Sequence, residues 1–443
     1  MNKSLIIATA AIVVCGIASA KEPSRVGQTT RLIIDLSGPG ATTPKTLFGK
    51  TKTPTDEPKF PNQVTPLGQR QQFIVGQELR TRYYQDAGFL NYSYDISALW
   101  IQTTFDAQNI VSTQAHLHGI YPPYTNINTL NDWQQRNAVP PLDNVLNDQW
   151  TAWQAELGNL ALLNGFNTFP INVMGADDDF ILNLSVDNCP AYKKSINDNW
   201  AAFENSIQTN NKDFIGRLAQ FAGQTTLDLK TALDFCQYIK WADLHNVVLS
   251  FDFTSDDVSK CDGLNTQQNN FFVTQDQALN FIASNQFLTQ THDHIKTELG
   301  KLDYKETHFY KLNAQKEEHA VSNDEKLRNN VDQKPNYFVM VASDVNVRLI
   351  LSGLQGKTSA DQSNLLKSDT HPASLLMLEL VLDKTGKLMV EAQFNDADIQ
   401  LGGCSAPGPC DAQTFLTYLE KQIALVADVS KACALPSQTV LIQ

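Results

Sequence analysis

The residues of this chain that could do chemistry stand at the ends of short apolar runs. The first run, Leu32-Ile33-Ile34, leads into a loop of small and turn-forming residues, Gly38-Pro39-Gly40-Ala41-Thr42-Thr43-Pro44. A glycine-rich loop after a buried strand suits a ligand held at the carboxyl edge of an open α/β sheet. The second run, Tyr337-Phe338-Val339-Met340-Val341, leads into Ala342-Ser343-Asp344 and then a helical pattern with Val347, Leu351 and Leu354 on one face. An aspartate at that point is either a general acid or a helix cap, and with no other catalytic group beside it the cap is favoured. His292-Asp293-His294 has metal-binding residue types, but positions i and i+2 diverge on a helix, so the triplet reads as a solvated face or loop. His116 and His118 lie near a helix end and read as packing or surface residues. Ser352-Gly353 lacks the surround of a nucleophile elbow, and no P-loop, dinucleotide fingerprint or C-x-x-C pair occurs, so no metal and no cofactor are implied.

Length and composition permit a scaffold for these groups. The chain has 443 residues, 42% hydrophobic and 18% charged, enough to bury a core in a large domain with an insertion, or in two domains. Residues 1–20 read as a secretory signal peptide: Lys3, an apolar run over 5–14, then Ala18-Ser19-Ala20. No later stretch is apolar over roughly eighteen residues, so no membrane span is expected after signal cleavage. Acidic side chains number 47 against 34 basic ones, which argues against nucleic acid as a partner. Without Cys15 an even set of cysteines remains (Cys189, Cys236, Cys261, Cys404, Cys410, Cys433), which fits disulfides in an oxidising compartment and leaves their connectivity open. Asn91-Tyr92-Ser93 and Asn183-Leu184-Ser185 are glycosylation sequons.

The elements follow in order. Residues 45–63, rich in Lys, Thr and Pro, form an excursion that could occupy a nearby cleft. Thr65 as N-cap and Pro66 in the first turn open a helix whose inward face is Phe73, Gly76, Leu79 and Tyr83. Leu99-Trp100-Ile101 and Pro170-Ile171-Asn172-Val173 read as core strands. From 193 to 300 the pattern is helical, with Trp200, Phe203 and Ile207 on one face and Phe214, Leu218 and Phe221 on another. Residues 311–335 are charged and solvated, and Asp383-Lys384-Thr385-Gly386 makes a hairpin turn.

Several of these stretches together resemble the histidine acid phosphatases. Residues 38–44 resemble the family's R-H-G-x-R-x-P signature, with Gly40 and Pro44 at its glycine and proline. Gly38, Pro39 and Thr42 fall where the family has an arginine, the nucleophilic histidine and a second arginine. The run 64–84 is similar to L-T-x-L-G-x-x-Q-x-x-x-L-G-x-x-L-R-x-R-Y, and 102–109 to R-S-T-D-x-x-R-T, with Gln102 and Gln108 replacing both arginines. Residues 170–173 are similar to P-V-H-T with Asn172 at the histidine, and Ser343-Asp344 to the family's His-Asp, so Asp344 is the retained position. The resemblance covers about residues 31–433. It implies disulfides Cys189–Cys433 and Cys404–Cys410; the family partner of Cys236 would fall near Leu375, and Cys236–Cys261 is what remains.

The resemblance implies an α/β fold: a mostly parallel sheet sandwiched by helices, phosphoglycerate-mutase-like, over 21–192 and 301–443, with a helical cap insertion over 193–300. It implies hydrolysis of phosphomonoesters through a phosphohistidine, with arginines neutralising the phosphoryl oxygens and an aspartate protonating the leaving group. At the corresponding positions this chain has Gly38, Pro39, Gly40, Thr42, Gln102 and Ser343, which could form only a vestigial phosphate pocket beside Asp344. The expected function is that of a secreted or lysosomal or vacuolar luminal protein that has lost catalysis and binds a ligand or a protein. An acid phosphatase with a rearranged site and a structural luminal protein are the alternatives, and a homodimer is possible as in the family.

Overall fold

The computed structural model describes residues 28–48, 60–125, 129–138, 148–185, 187–274, 277–314, 335–356 and 371–434. The signal segment 1–20, the middle of the 45–63 excursion and most of 311–335 lie outside the described residues.

The apolar runs become strands of one mixed sheet. β1 (Thr29–Ser37), β2 (Leu99–Thr103), β3 (Asn172–Val173) and β4 (Tyr337–Val341) are parallel, in the order β3-β2-β4-β1. Every residue of β4 is buried, as a central parallel strand covered on both faces requires. β5 (Leu375–Leu382) returns antiparallel beside β1, and β6 (Leu388–Phe394), β7 (Ala397–Asp398) and β8 (Cys410–Asp411) complete the sheet. The β5–β6 turn forms as its sequence predicts: the Asp383 carboxylate accepts from Thr385 N and Lys387 N, both at 2.8 Å, and Gly386 takes φ +83°. Residues 170–173 do not make a core strand. Only Asn172–Val173 pairs, at the sheet edge, with both residues exposed.

Helices cover both faces. α1 (Pro66–Arg80) lies between β1 and β2; α2 (Ala107–Ile120), α3 (Asp132–Asn137) and α4 (Asp148–Leu157) lie between β2 and β3. α5 (Pro190–Asn210), α6 (Lys212–Phe221), α7 (Leu229–Leu244), α8 (Ser255–Thr274) and α9 (Gln277–Ala314) separate β3 from β4. α10 (Asp344–Gln355) follows β4, and α11 (Ala412–Ile423) and α12 (Val429–Cys433) follow the last strand. Ile33, Ile101 and Val339 face α1 and α2, while Ile34, Leu36 and Met340 face α9, α10 and α11. This is the two-layered covering of an α/β sheet. Thr65 caps α1, accepting from Gly68 N at 3.1 Å. The inward face of α1 departs from the expected one. Gly76, Leu79 and Tyr83 are buried, but Phe73 is 37% exposed and Gln72 is buried in its place.

All three disulfides form: Cys189–Cys433, Cys236–Cys261 and Cys404–Cys410. The second ties α7 to α8. No helix of the described residues is long and apolar enough to cross a membrane. The two sequons are unequal. Asn91 is exposed, whereas Asn183 is 8% exposed and its carbonyl accepts from Asn188 Nδ2 at 2.6 Å. Asn183 therefore has no room for a glycan in the folded chain. Secretion from a glycosylating host should give one endoglycosidase-sensitive mass step, abolished by Asn91→Gln and kept by Asn183→Gln; two steps would contradict this burial.

Candidate functional site

The loops that follow β1, β2 and β4 meet at the carboxyl edge of the parallel strands, where open α/β sheets place their ligands. Backbone bonds to the segment before β5 fix the first of these loops. Gly38 N donates to Ser374 O at 2.8 Å, and Ala373 N donates to Pro39 O at 2.7 Å. Further along, Gly40 N donates to Ser112 Oγ at 3.1 Å, Ala41 N to Gln71 Oε1 at 3.0 Å and Thr43 N to Gln63 O at 2.8 Å. Gly40 also lies so close to the first turn of α1 that a Cβ there would overlap the Gly68 backbone.

Beneath the loop runs a buried polar chain. Gln72 Nε2 donates to Gly38 O at 2.6 Å, and Gln72 Oε1 lies 3.1 Å from His116 Nδ1. Because Gly38 O can only accept, the amide orientation is set, and His116 Nδ1 must carry a proton. His116 Nε2 lies 2.9 Å from Asp35 Oδ2, which also accepts from the Tyr337 hydroxyl at 3.3 Å. Burial first, and the Asp35 charge after it, push the Tyr337 hydroxyl up, so it stays a donor. Asp35, Gln72 and His116 are all fully buried. Sequence reasoning passed over Asp35, although a carboxylate inside the apolar run 32–36 must find a partner or a proton when buried.

Above the loop lies a cavity of about 550 Å3, closed on its far side by α7 and α8. Of the residues singled out in the sequence, it brings together Pro39, Gly40, Thr42, Pro44, Gln108, Ser343 and Asp344. Gly38 is buried below the wall, and the Asp344 carboxylate fills the space a side chain at 38 would need. Gln102 is 3% exposed and turned away from the cavity, accepting from Trp100 Nε1 at 3.2 Å with its Nε2 3.6 Å from Met174 Sδ. Asn172 is spent on the strand, donating to Ile101 O at 2.8 Å.

The helix cap is Ser343 rather than Asp344. The Ser343 hydroxyl accepts from Asn346 N at 3.4 Å and from Asn346 Nδ2 at 2.8 Å, with extended backbone as a cap requires. Asp344 is the first residue of α10 and lines the cavity.

Of the other histidines, His118, His245, His292 and His294 have structural partners, His371 lines the cavity, and the side chains of His308 and His319 lie outside the described residues. His118 sits edge-on to Phe166 and Phe169 at 5.4 Å each, and burial lowers its pKa. His292 Nδ1 meets Asp293 Oδ1 at 2.9 Å, whereas His294 lies over the Phe338 ring at 3.9 Å, so the two imidazoles diverge. His245 Nδ1 donates to Trp241 O at 2.9 Å and Nε2 lies 2.9 Å from the Thr65 hydroxyl oxygen, which ties the end of α7 to the start of α1. Among the described residues no group of three or more His, Cys, Asp and Glu could hold a metal ion.

No family model matches the chain. It is 26% identical over 208 residues to the lysosomal acid phosphatase of Xenopus laevis, covering 47% of this chain and 40% of that protein. It is 27% identical over 184 residues to the Homo sapiens lysosomal acid phosphatase, covering 41% of this chain and 36% of that one. The chain thus spans about two fifths of the length of these relatives. Its fold is that of solved phytases. The apo phytase of Hafnia alvei aligns with TM-score 0.54 at 13% identity, covering 93% of this chain and 99% of that one. The phytase of Citrobacter braakii aligns with TM-score 0.53 at 10% identity, covering 89% and 98%.

Proposed function

We infer that this chain, which belongs to the histidine acid phosphatase family, keeps the fold and cleft to bind a ligand or partner and does not run the family's phosphoryl transfer. The observation that carries this reading is where the loop's donors point. The N–H groups of Gly38, Gly40, Ala41 and Thr43 are spent on protein acceptors, and Pro39 and Pro44 have none. A transferring phosphoryl group needs preorganised donors and cations aimed at its oxygens. Among the described residues that line the cavity, the basic side chains are Lys240, which is ion-paired with Asp262, and His371. Asp243 and Asp344 add negative charge to the same walls, which opposes entry of a dianion. Pro39, at the position the resemblance gives to the nucleophile, has no nucleophilic side chain. The lysosomal relatives and the three disulfides point to a lysosomal or secreted lumen.

The test is phosphomonoesterase activity of the secreted, oxidised protein on an aryl phosphate between about pH 4 and about pH 7, the range in which an aspartate donor and an imidazole nucleophile would operate. The expected result is no vanadate-sensitive turnover above an Asp344→Ala control. The carboxyl group of Asp344 on the cavity wall favours one rival, an acid phosphatase with a rearranged site in which Asp344 protonates the leaving oxygen. A vanadate-sensitive rate that Asp344→Ala removes would establish that rival and end the binding-only reading.

A further inference from the structure

We propose that the cleft takes a neutral, hydroxyl-rich ligand, a short oligosaccharide; the proposal rests on the reading of the cleft as a binding site without phosphoryl transfer. The walls carry an unusual density of side-chain amides: Gln108 from α2, Gln237 from α7, and Asn265, Gln268 and Asn269 from α8. Each amide presents a donor and an acceptor together, and so does each sugar hydroxyl, so a row of amides matches a row of hydroxyls in either direction. An ionised phosphate group offers acceptors alone and would leave the acceptor half of that capacity to water.

Charge selects the same way. Lys240 is ion-paired with Asp262 on the wall, and Asp243 and Asp344 stand on the same walls, where carboxylates oppose anions and suit hydroxyl groups. Two aromatic side chains also reach the wall and are braced by other rings. Trp241 is stacked on Tyr238 with centroids 5.8 Å apart, and Phe272 on Trp200 at 6.5 Å. These rings give the wall an apolar border beside the amides, which read the hydroxyl rim of the sugar. The frame is rigid where it has to be. Cys236–Cys261 joins α7 to α8 beside Lys240–Asp262, so the amides of both helices keep their spacing without a ligand. At about 550 Å3 the cavity falls among ordinary small-ligand sites.

The experiment is isothermal titration of the secreted, oxidised full chain with neutral trisaccharides built of glucose, mannose and N-acetylglucosamine, alongside inorganic phosphate and spermidine. At least one trisaccharide should bind with Kd below about 1 mM. Its affinity should change less than about twofold between roughly 50 and 500 mM salt, since no ion pair forms. Gln237→Ala and Asn269→Ala, both on the helical wall and away from the sheet, should each weaken it about tenfold with the melting temperature unchanged. Absence of trisaccharide binding up to about 10 mM overturns the proposal. So does spermidine binding that fades with salt, which would assign the cavity to cations. If sugars fail and the aryl phosphate assay is silent, the ligand class falls and the binding-only reading stands; turnover of the aryl phosphate removes that reading itself.

Discussion

Replacing His116 with alanine is expected to cost about 3–5 kcal/mol of folding free energy, since it strands buried polar partners and opens a cavity. The loss is that large because three groups depend on this ring. Asp35 Oδ2 would keep only the Tyr337 hydroxyl, Gln72 Oε1 would lose its donor, and a cavity would open between β1 and α2. Asp35 and Gln72 are both fully buried, so water cannot replace the missing partner without rearrangement. Denaturant titration of the oxidised protein should show a lower midpoint at unchanged slope. The joint variant Asp35→Leu, His116→Leu should recover part of the loss, because it removes the stranded polar group as well as its partner. Gly38, bonded to Gln72, should exchange its amide faster in His116→Ala than in the parent. A destabilisation below about 1 kcal/mol would mean that the Asp35–His116 pair contributes little, as exposed pairs do.

That pair also marks the boundary between what the sequence made legible and what it hid. The strands over 32–36 and 337–341, the Thr65 cap, the Asp383 turn and the three disulfides follow from local signals or from the family resemblance, and each is found where expected. The misreadings share one cause: polar residues settled by tertiary partners. Phe73 fits the helical period of an inward face, yet Gln72 takes the buried place because Gly38 O and His116 need an amide between them. Asp344 has the composition of a cap, but Ser343 precedes it with a shorter side chain that reaches Asn346 N, so Asp344 stands in the first turn on the cavity wall. Asn172 belongs to an apolar segment but lands on an edge strand, since nothing pairs beyond β3 in the described sheet. The amide wall was invisible for a different reason. Gln237 and Gln268 are unremarkable helix-surface residues until the disulfide between α7 and α8 brings their helices to the mouth of the sheet.

The second large effect reverses the sign that helix propensity alone would give. Glycine inside a helix is disfavoured by about 0.5–1 kcal/mol relative to alanine, so Gly→Ala should stabilise wherever there is room. Gly216 in α6 and Gly263 in α8 have open space at the Cβ position, and alanine at either should gain about that amount. Gly76 in α1 is equally helical, yet its Cβ would overlap His116 O and come within 2.9 Å of Gly119 Cα on α2. Neither atom belongs to a flexible side chain, so the two helices would have to separate. Overpacking of this kind typically costs about 1–3 kcal/mol beyond the propensity gain it cancels. Gly76→Ala and Gly119→Ala should therefore both lower the denaturation midpoint, while Gly216→Ala and Gly263→Ala raise it. Separation of α1 from α2 would also lengthen the Gln72–His116 contact that holds the floor of the loop, so Gly76→Ala should share the faster Gly38 exchange of His116→Ala. Equal stabilisation at all four positions would show that the helices slide apart at no cost, and that the glycine contact does not set the height of the loop.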